Sequence, residues 1–195
     1  MRPARLLSLA AAMLLLAGCV TPSSGASYTL SGTATPYPAP RTEIRPLVVA
    51  PVGARSPYDS PNLVYFENGY GPLVYADRFW SRPLPYQVRS LVTAYLASSG
   101  LFSQVHEGDS GAPGELVLST TILRFDRILN KNYTPAVQVE VSYSLYNPAM
   151  DTVLLSGTYS EIQPVHGKTF EDTIQGLSHA LGTTLRRFAA DCAAR

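Results

Sequence analysis

The run Ala136 to Tyr146 alternates without a break. Val137, Val139, Val141, Tyr143 and Leu145 fall on one side and Gln138, Glu140, Ser142 and Ser144 on the other. Period-two patterning over this length predicts a strand with one buried face and one wet or helix-free face. Such a strand needs an apolar layer against it. Phe170, Ile174, Leu177, Leu181, Leu185, Phe188 and Cys192 provide one, spaced 4, 3, 4, 4, 3 and 4 residues apart. That is one continuous stripe on a helix predicted over Thr169–Cys192, opened by a Thr169/Asp172 approximation to a capping box.

The remaining elements fit around this pair. Thr152 to Ile162 reads as a return strand after the Asn147–Asp151 turn, hence antiparallel to its predecessor. Glu115 to Ile128 is rich in β-formers. A second helix carries Val88, Leu91, Val92, Tyr95 and Leu96 on one face, with Pro83 and Pro85 at its entry and Gly100 at its end. Leu101 to Val105 resembles a strand running back. Leu63–Phe66 and Leu73–Tyr75 flank Asn68-Gly69-Tyr70-Gly71 as a hairpin. Leu47–Val52 reads as a buried strand, and Tyr28–Leu30 as a short one. The expected fold is α+β: a single two-layer domain, a mixed or antiparallel sheet with two α-helices packed on one face.

The N-terminus has a different grammar. Arg2 and Arg5 precede the apolar run Leu6–Leu16, which is too short for a stable membrane span and reads as a secretory signal. It ends in Leu16-Ala17-Gly18-Cys19, which resembles the bacterial lipobox. That resemblance implies cleavage between Gly18 and Cys19, and a covalent lipid on Cys19 in place of any other cofactor. An ordinary cleaved signal containing a cysteine is the simpler alternative. Residues 1–18 are thus a signal, 19–26 a Ser/Gly/Pro-rich tether and 27–195 the domain. If Tyr28–Leu30 stays unpaired, the stretch from Cys19 to Arg45 reaches about 90 Å when fully extended. Pairing of that strand with the sheet shortens the leash. Val20 stands where an Asp would mark inner-membrane retention, so the expected location is the periplasmic face of the outer membrane.

Charge narrows the function classes. The full chain of 195 residues has a formal charge of +1; without Arg2 and Arg5 it has 13 basic and 14 acidic residues. No basic face for nucleic acid is expected. A search for chemistry also fails. Gly108-Asp109-Ser110-Gly111-Ala112-Pro113 resembles a serine-protease nucleophile surround. The mechanism needs an upstream histidine and a buried aspartate, and His106 is only four residues away, so a turn is the expected reading. His106, His166 and His179 have no metal-ligand spacing, so no metal set is expected. Cys192 lies on the apolar stripe and reads as a small buried hydrophobe. Asp126 pairs by proximity with Arg124 or Arg127. Twelve tyrosines are many; Tyr58, Tyr65 and Tyr75, with Trp80, are the candidate partner-binding residues, against the simpler reading of half-buried β-formers.

Two stretches carry a family resemblance. Tyr58-Asp59-Ser60-Pro61-Asn62-Leu63-Val64-Tyr65 resembles the "YLDRPQIVYR" stretch of the ABC-type transport auxiliary lipoproteins, the PqiC-like proteins. Tyr75-Ala76-Asp77-Arg78-Phe79-Trp80-Ser81-Arg82-Pro83-Leu84 is similar to that family's "YADNRWAEPL" segment, and Tyr28-Thr29-Leu30 to its "YYLL" strand. The family's Arg-Trp pair is Phe79-Trp80 here, with Arg78 one place earlier. The resemblance implies a non-enzymatic accessory to an MCE/ABC-type intermembrane lipid transport system. Its expected partners are an MCE-domain protein with the associated inner-membrane permease or ABC components, and outer-membrane lipid through the acyl anchor. Homo-oligomerisation stays open. The rival readings are an assembly or maturation factor for an outer-membrane protein or lipopolysaccharide machine, a hydrolase using Ser110, and a direct lipid carrier.

Overall fold

The computed structural model describes residues 25–32, 45–109, 115–131, 135–167 and 169–194. Gly18, Cys19, most of the tether and Ser110 lie outside them. In chain order the elements are β1 (Ala26–Tyr28), β2 (Leu47–Val49), β3 (Gly53–Ala54), β4 (Asn62–Glu67), β5 (Tyr70–Trp80), α1 (Leu84–Ser99), β6 (Val105–Glu107), β7 (Leu116–Leu129), β8 (Pro135–Asn147), β9 (Thr152–Pro164) and α2 (Phe170–Ala193).

The alternating run is β8, antiparallel to both β7 and β9. Its apolar side is fully buried from Val137 to Tyr143. Strand β7 is the hub. One edge pairs with β8 throughout; the other accepts three short parallel partners in succession. These are β2 at Leu116–Leu118, β3 at Thr121–Ile122 and β4 at Asp126–Leu129. Strand β5 continues the sheet antiparallel to β4, β1 lies parallel to β5, and β6 lies parallel to β2. The register shifts at Leu123 of β7, between Ile122 and Arg124. A one-residue bulge reverses which side chains face inward. It keeps Phe125 in the core after Ile122 and turns Arg124 and Asp126 to the opposite face.

Both helices cover one face. Helix α1 packs on β2 and β6 and buries Leu84, Val88, Val92, Tyr95 and Leu96. Pro83 caps it, and Gly100 ends it at φ 74°, where a side chain would be strained. Helix α2 packs on β7, β8 and β9. The expected capping box is present: the Asp172 N–H donates to Thr169 Oγ1 (3.2 Å), and the Thr169 N–H donates to Asp172 Oδ2 (2.8 Å). Thr169→Ala removes one side of that exchange, and we expect a urea midpoint lower by the equivalent of about 1 kcal/mol.

Three expectations need correction. The strand after α1 is Val105–Glu107, not Leu101–Val105, because Leu101 and Phe102 are buried in bends as core plugs. Strand β5 runs on to Trp80, well past Tyr75. The first strand is Ala26–Tyr28, not Tyr28–Leu30, and it is in the sheet. Beyond it, the Leu30 N–H donates to Gln87 Oε1 (2.8 Å) on α1 and the Ser31 N–H to Ser178 Oγ (3.1 Å) on α2. The chain is therefore fixed to the domain well before Arg45. Seven residues separate Cys19 from Ala26 in the sequence, roughly 25 Å at full extension.

Candidate functional site

His106, His166 and His179 are all exposed, on separate parts of the chain. His106 lies 3.6 Å from Glu115, and His179 contacts Gln163 through Nδ1. Among the described residues no three His, Cys, Asp or Glu side chains gather as a metal set. Cys192 is half-buried on α2.

The four aromatic candidates separate into two pairs. Tyr58 and Trp80 are not on the surface. The loop before β4 crosses the helix-free face of the sheet, tied by the Arg55 N–H to Ile122 O (2.9 Å). It presses Tyr58 onto β7, where the hydroxyl donates to Asp126 Oδ2 (2.8 Å). Arg124 grips the same carboxylate through Nε (3.1 Å) and Nη2 (3.0 Å), and its guanidinium stacks on Phe66, 4.4 Å from the ring centre. Of the two candidate arginines, Arg124 is the partner of Asp126. Burial pushes the Asp126 carboxyl above its ordinary range, while the bonds from Arg124 and Tyr58 pull against it. Trp80 plugs the opposite face, edge-on to Phe125 at 5.8 Å. Both residues hold the fold together.

Tyr65 and Tyr75 do come together, with rings 4.3 Å apart across the hairpin. They meet three further elements at the place where the helix layer ends. Phe170, the first residue of α2, stands edge-on to Tyr75 at 5.0 Å, and Tyr28 of β1 lies 5.4 Å from Phe170. Two guanidiniums approach that same ring, Arg78 at 5.2 Å and Arg127 at 5.0 Å. Arg127 Nη1 also donates to Tyr75 Oη (3.4 Å), and Arg78 pairs with Asp77 at 2.6 Å. The aromatic residues of this patch are all half-buried. Burial is the main cause that pushes the Tyr75 phenol up. Phe170 was visible in the sequence only as the first member of the helix stripe, and Arg127 only as a candidate ion-pair partner. Their meeting depends on pairings between distant strands, for which no local signal exists.

Burial also holds the Tyr58 and Tyr143 phenols protonated far above their usual range. In the unfolded chain both ionise near pH 10. Above that pH the unfolded state releases protons that the folded state keeps, so stability falls as pH rises. Ultraviolet titration should show a cooperative late ionisation step, above the ordinary phenol range, that coincides with unfolding.

An apolar groove of about 280 Å³ separates α1 from α2, lined by Leu91, Tyr95, Leu181 and Leu185, with Ser31 and Gly32 at one end. Among the described residues no helix is long and apolar enough to cross a membrane.

This architecture has relatives. Protein XCC0632 from Xanthomonas campestris, assigned to DUF330, shares the fold with a TM-score of 0.73 at 20% identity, over 87% of this chain and 95% of that one. The hypothetical protein CT253 from Chlamydia trachomatis gives 0.57 at 10% identity, over 77% and 96%. PelC from Paraburkholderia phytofirmans, a dodecamer, gives 0.50 at 15% identity, over 84% and 96%. No curated protein sequence matches the chain. The family model described as the ABC-type transport auxiliary lipoprotein component matches residues 28–189, from β1 to the last turns of α2. With that match spanning most of the sequence and nearly every element of the fold, this chain belongs to the ABC-type transport auxiliary lipoprotein family.

Proposed function

We propose that the protein is a non-catalytic lipoprotein of the outer membrane, acylated on Cys19 after cleavage from Gly18. It serves as the accessory component of an MCE/ABC-type intermembrane lipid transport system, docking the periplasmic machinery at the outer membrane. The observation that carries this reading is the family match over residues 28–189. The lipobox and the two motif stretches support it from the sequence. Three acyl chains make a lasting anchor, since each buried methylene adds about 0.8 kcal/mol. The partners are an MCE-domain protein and its permease and ATPase.

Crosslinking in cells, followed by purification of the chain, tests the reading. Recovery of an MCE-domain protein, with detergent sensitivity in a deletion strain, is the expected result. Recovery of a β-barrel assembly component instead would transfer the protein to the assembly-factor reading. Failure of a clickable palmitate analogue to label the wild-type chain, under conditions that label another lipoprotein, would remove the anchor on Cys19.

A further inference from the structure

The aromatic patch around Phe170 has a chemistry that its contacts within the fold do not use up. Arg127 stacks on Phe170 and touches the neutral phenol of Tyr75. Among the described residues no carboxylate lies within ion-pair distance of it. Arg78 has Asp77, yet the Nε–H groups of both arginines are buried and without an acceptor. Next to the patch, the β4–β5 tip exposes apolar area: Tyr70 is 77% exposed and Leu73 38%. Leu73 lies opposite Tyr65 in the hairpin register, so the tip and the patch form one surface. Tyr and Phe with an aliphatic tip and guanidiniums are the composition that settles at a membrane–water boundary.

The anchor decides what this surface faces. Tyr28 belongs to the patch and lies nine residues after Cys19, at most roughly 30 Å away. A domain held by that leash has this end near the bilayer. We infer that the patch of Tyr28, Tyr65, Tyr75, Phe170, Arg78 and Arg127, with the β4–β5 tip, is a second membrane contact, docking on the phosphate layer of the membrane that holds the acyl anchor. The guanidiniums take lipid phosphate oxygens, and the tip residues enter the headgroup region. This inference rests on the lipoprotein reading above.

The test uses the acylated chain, reconstituted into phosphatidylethanolamine/phosphatidylglycerol vesicles with brominated acyl chains. A fluorophore is attached in a Cys192→Ser background through either Tyr70→Cys at the tip or Met150→Cys on the exposed β8–β9 turn. Flotation with the vesicles reports the anchor; quenching reports docking. The expected result is flotation of both, strong quenching at position 70 and little at 150. Arg78→Gln and Arg127→Gln each weaken docking about fivefold, and high salt does the same. Protein that floats but shows equal quenching at the two positions, or quenching indifferent to both arginines, overturns docking and leaves the anchor in place. Protein that does not float removes the anchor reading and the docking with it.

Discussion

Phe188→Ala should lower stability by about 3–5 kcal/mol, the range for deleting a large aromatic side chain from a packed core. Phe188 is fully buried, with Tyr143 at 4.9 Å and Tyr159 edge-on at 6.0 Å. It joins α2 to the middle of β8 and β9, the two partners that helix covers most. Its removal leaves a cavity between two layers that a continuous sheet and a six-turn helix cannot easily close. Domains of this kind have about 5–15 kcal/mol in total, so the melting temperature should drop by roughly 10 °C. Phe188→Leu keeps most of the volume and should cost about 1–2 kcal/mol. A thermal melt of Phe188→Ala within about 2 °C of wild type would mean that α2 does not depend on this contact.

Asp126→Ala should cost about 2–3 kcal/mol, measured in urea. The carboxylate is fully buried and accepts from both Tyr58 and Arg124. Deleting it leaves a buried hydroxyl and a guanidinium without their acceptor. The guanidinium is 31% exposed, so water compensates part of the loss. Tyr58→Phe removes only one bond and should cost about 1 kcal/mol. The pair has a pH signature. Burial raises the Asp126 carboxyl in the folded protein, so the folded state binds a proton more readily than the unfolded one. Stability from this group is therefore fullest below the ordinary carboxylate range and declines as pH rises through the raised value. Asp126→Asn has no such slope. The gap between wild type and Asp126→Asn should narrow from about pH 4 to pH 7. A gap that widens instead would show that the bonds from Arg124 and Tyr58 outweigh the burial.

The parts of the fold that were legible in advance have complete local patterns. Strand β8 alternates because one face is dry and the other wet. Helix α2 shows its stripe because it lies along a flat sheet, and its Thr169 cap is a local hydrogen-bond exchange. The parts that were not legible obey distant rules. Strand β5 is exposed over its first half, so no apolar rhythm marks it. Leu101 and Phe102 read as a strand because they are apolar, but they are buried by a bend under α1 rather than by pleating. Of the three parallel partners of β7, β2 and β4 are legible as strands and the two-residue β3 is not, and nothing in their sequences names the strand they join. Tyr58 and Trp80 show the same limit at the candidate site. Their sequence leaves a partner surface and half-buried β-formers both open, and a loop that folds back over the sheet and the far end of β5 bury them. Tyr65 and Tyr75 remain partly open because α2 begins at Phe170 and covers no more.

The dependence of β2, β3 and β4 on a single later strand also governs the order in which the molecule can assemble. Leu47 must find Leu116, and Val64 must find Asp126, each more than sixty positions away. Such distant contacts close loops before any pairing rewards them, and they slow folding. The β7–β9 meander, whose strands are neighbours in sequence, should form first and act as the template. Until β7 has been synthesised, β1 can pair with β5 and β2 with β6, but β2, β3 and β4 lack the strand that joins them into one sheet. A chain truncated before Leu116 therefore lacks the strand that unites its two sets of pairings, and it should not reach the native sheet.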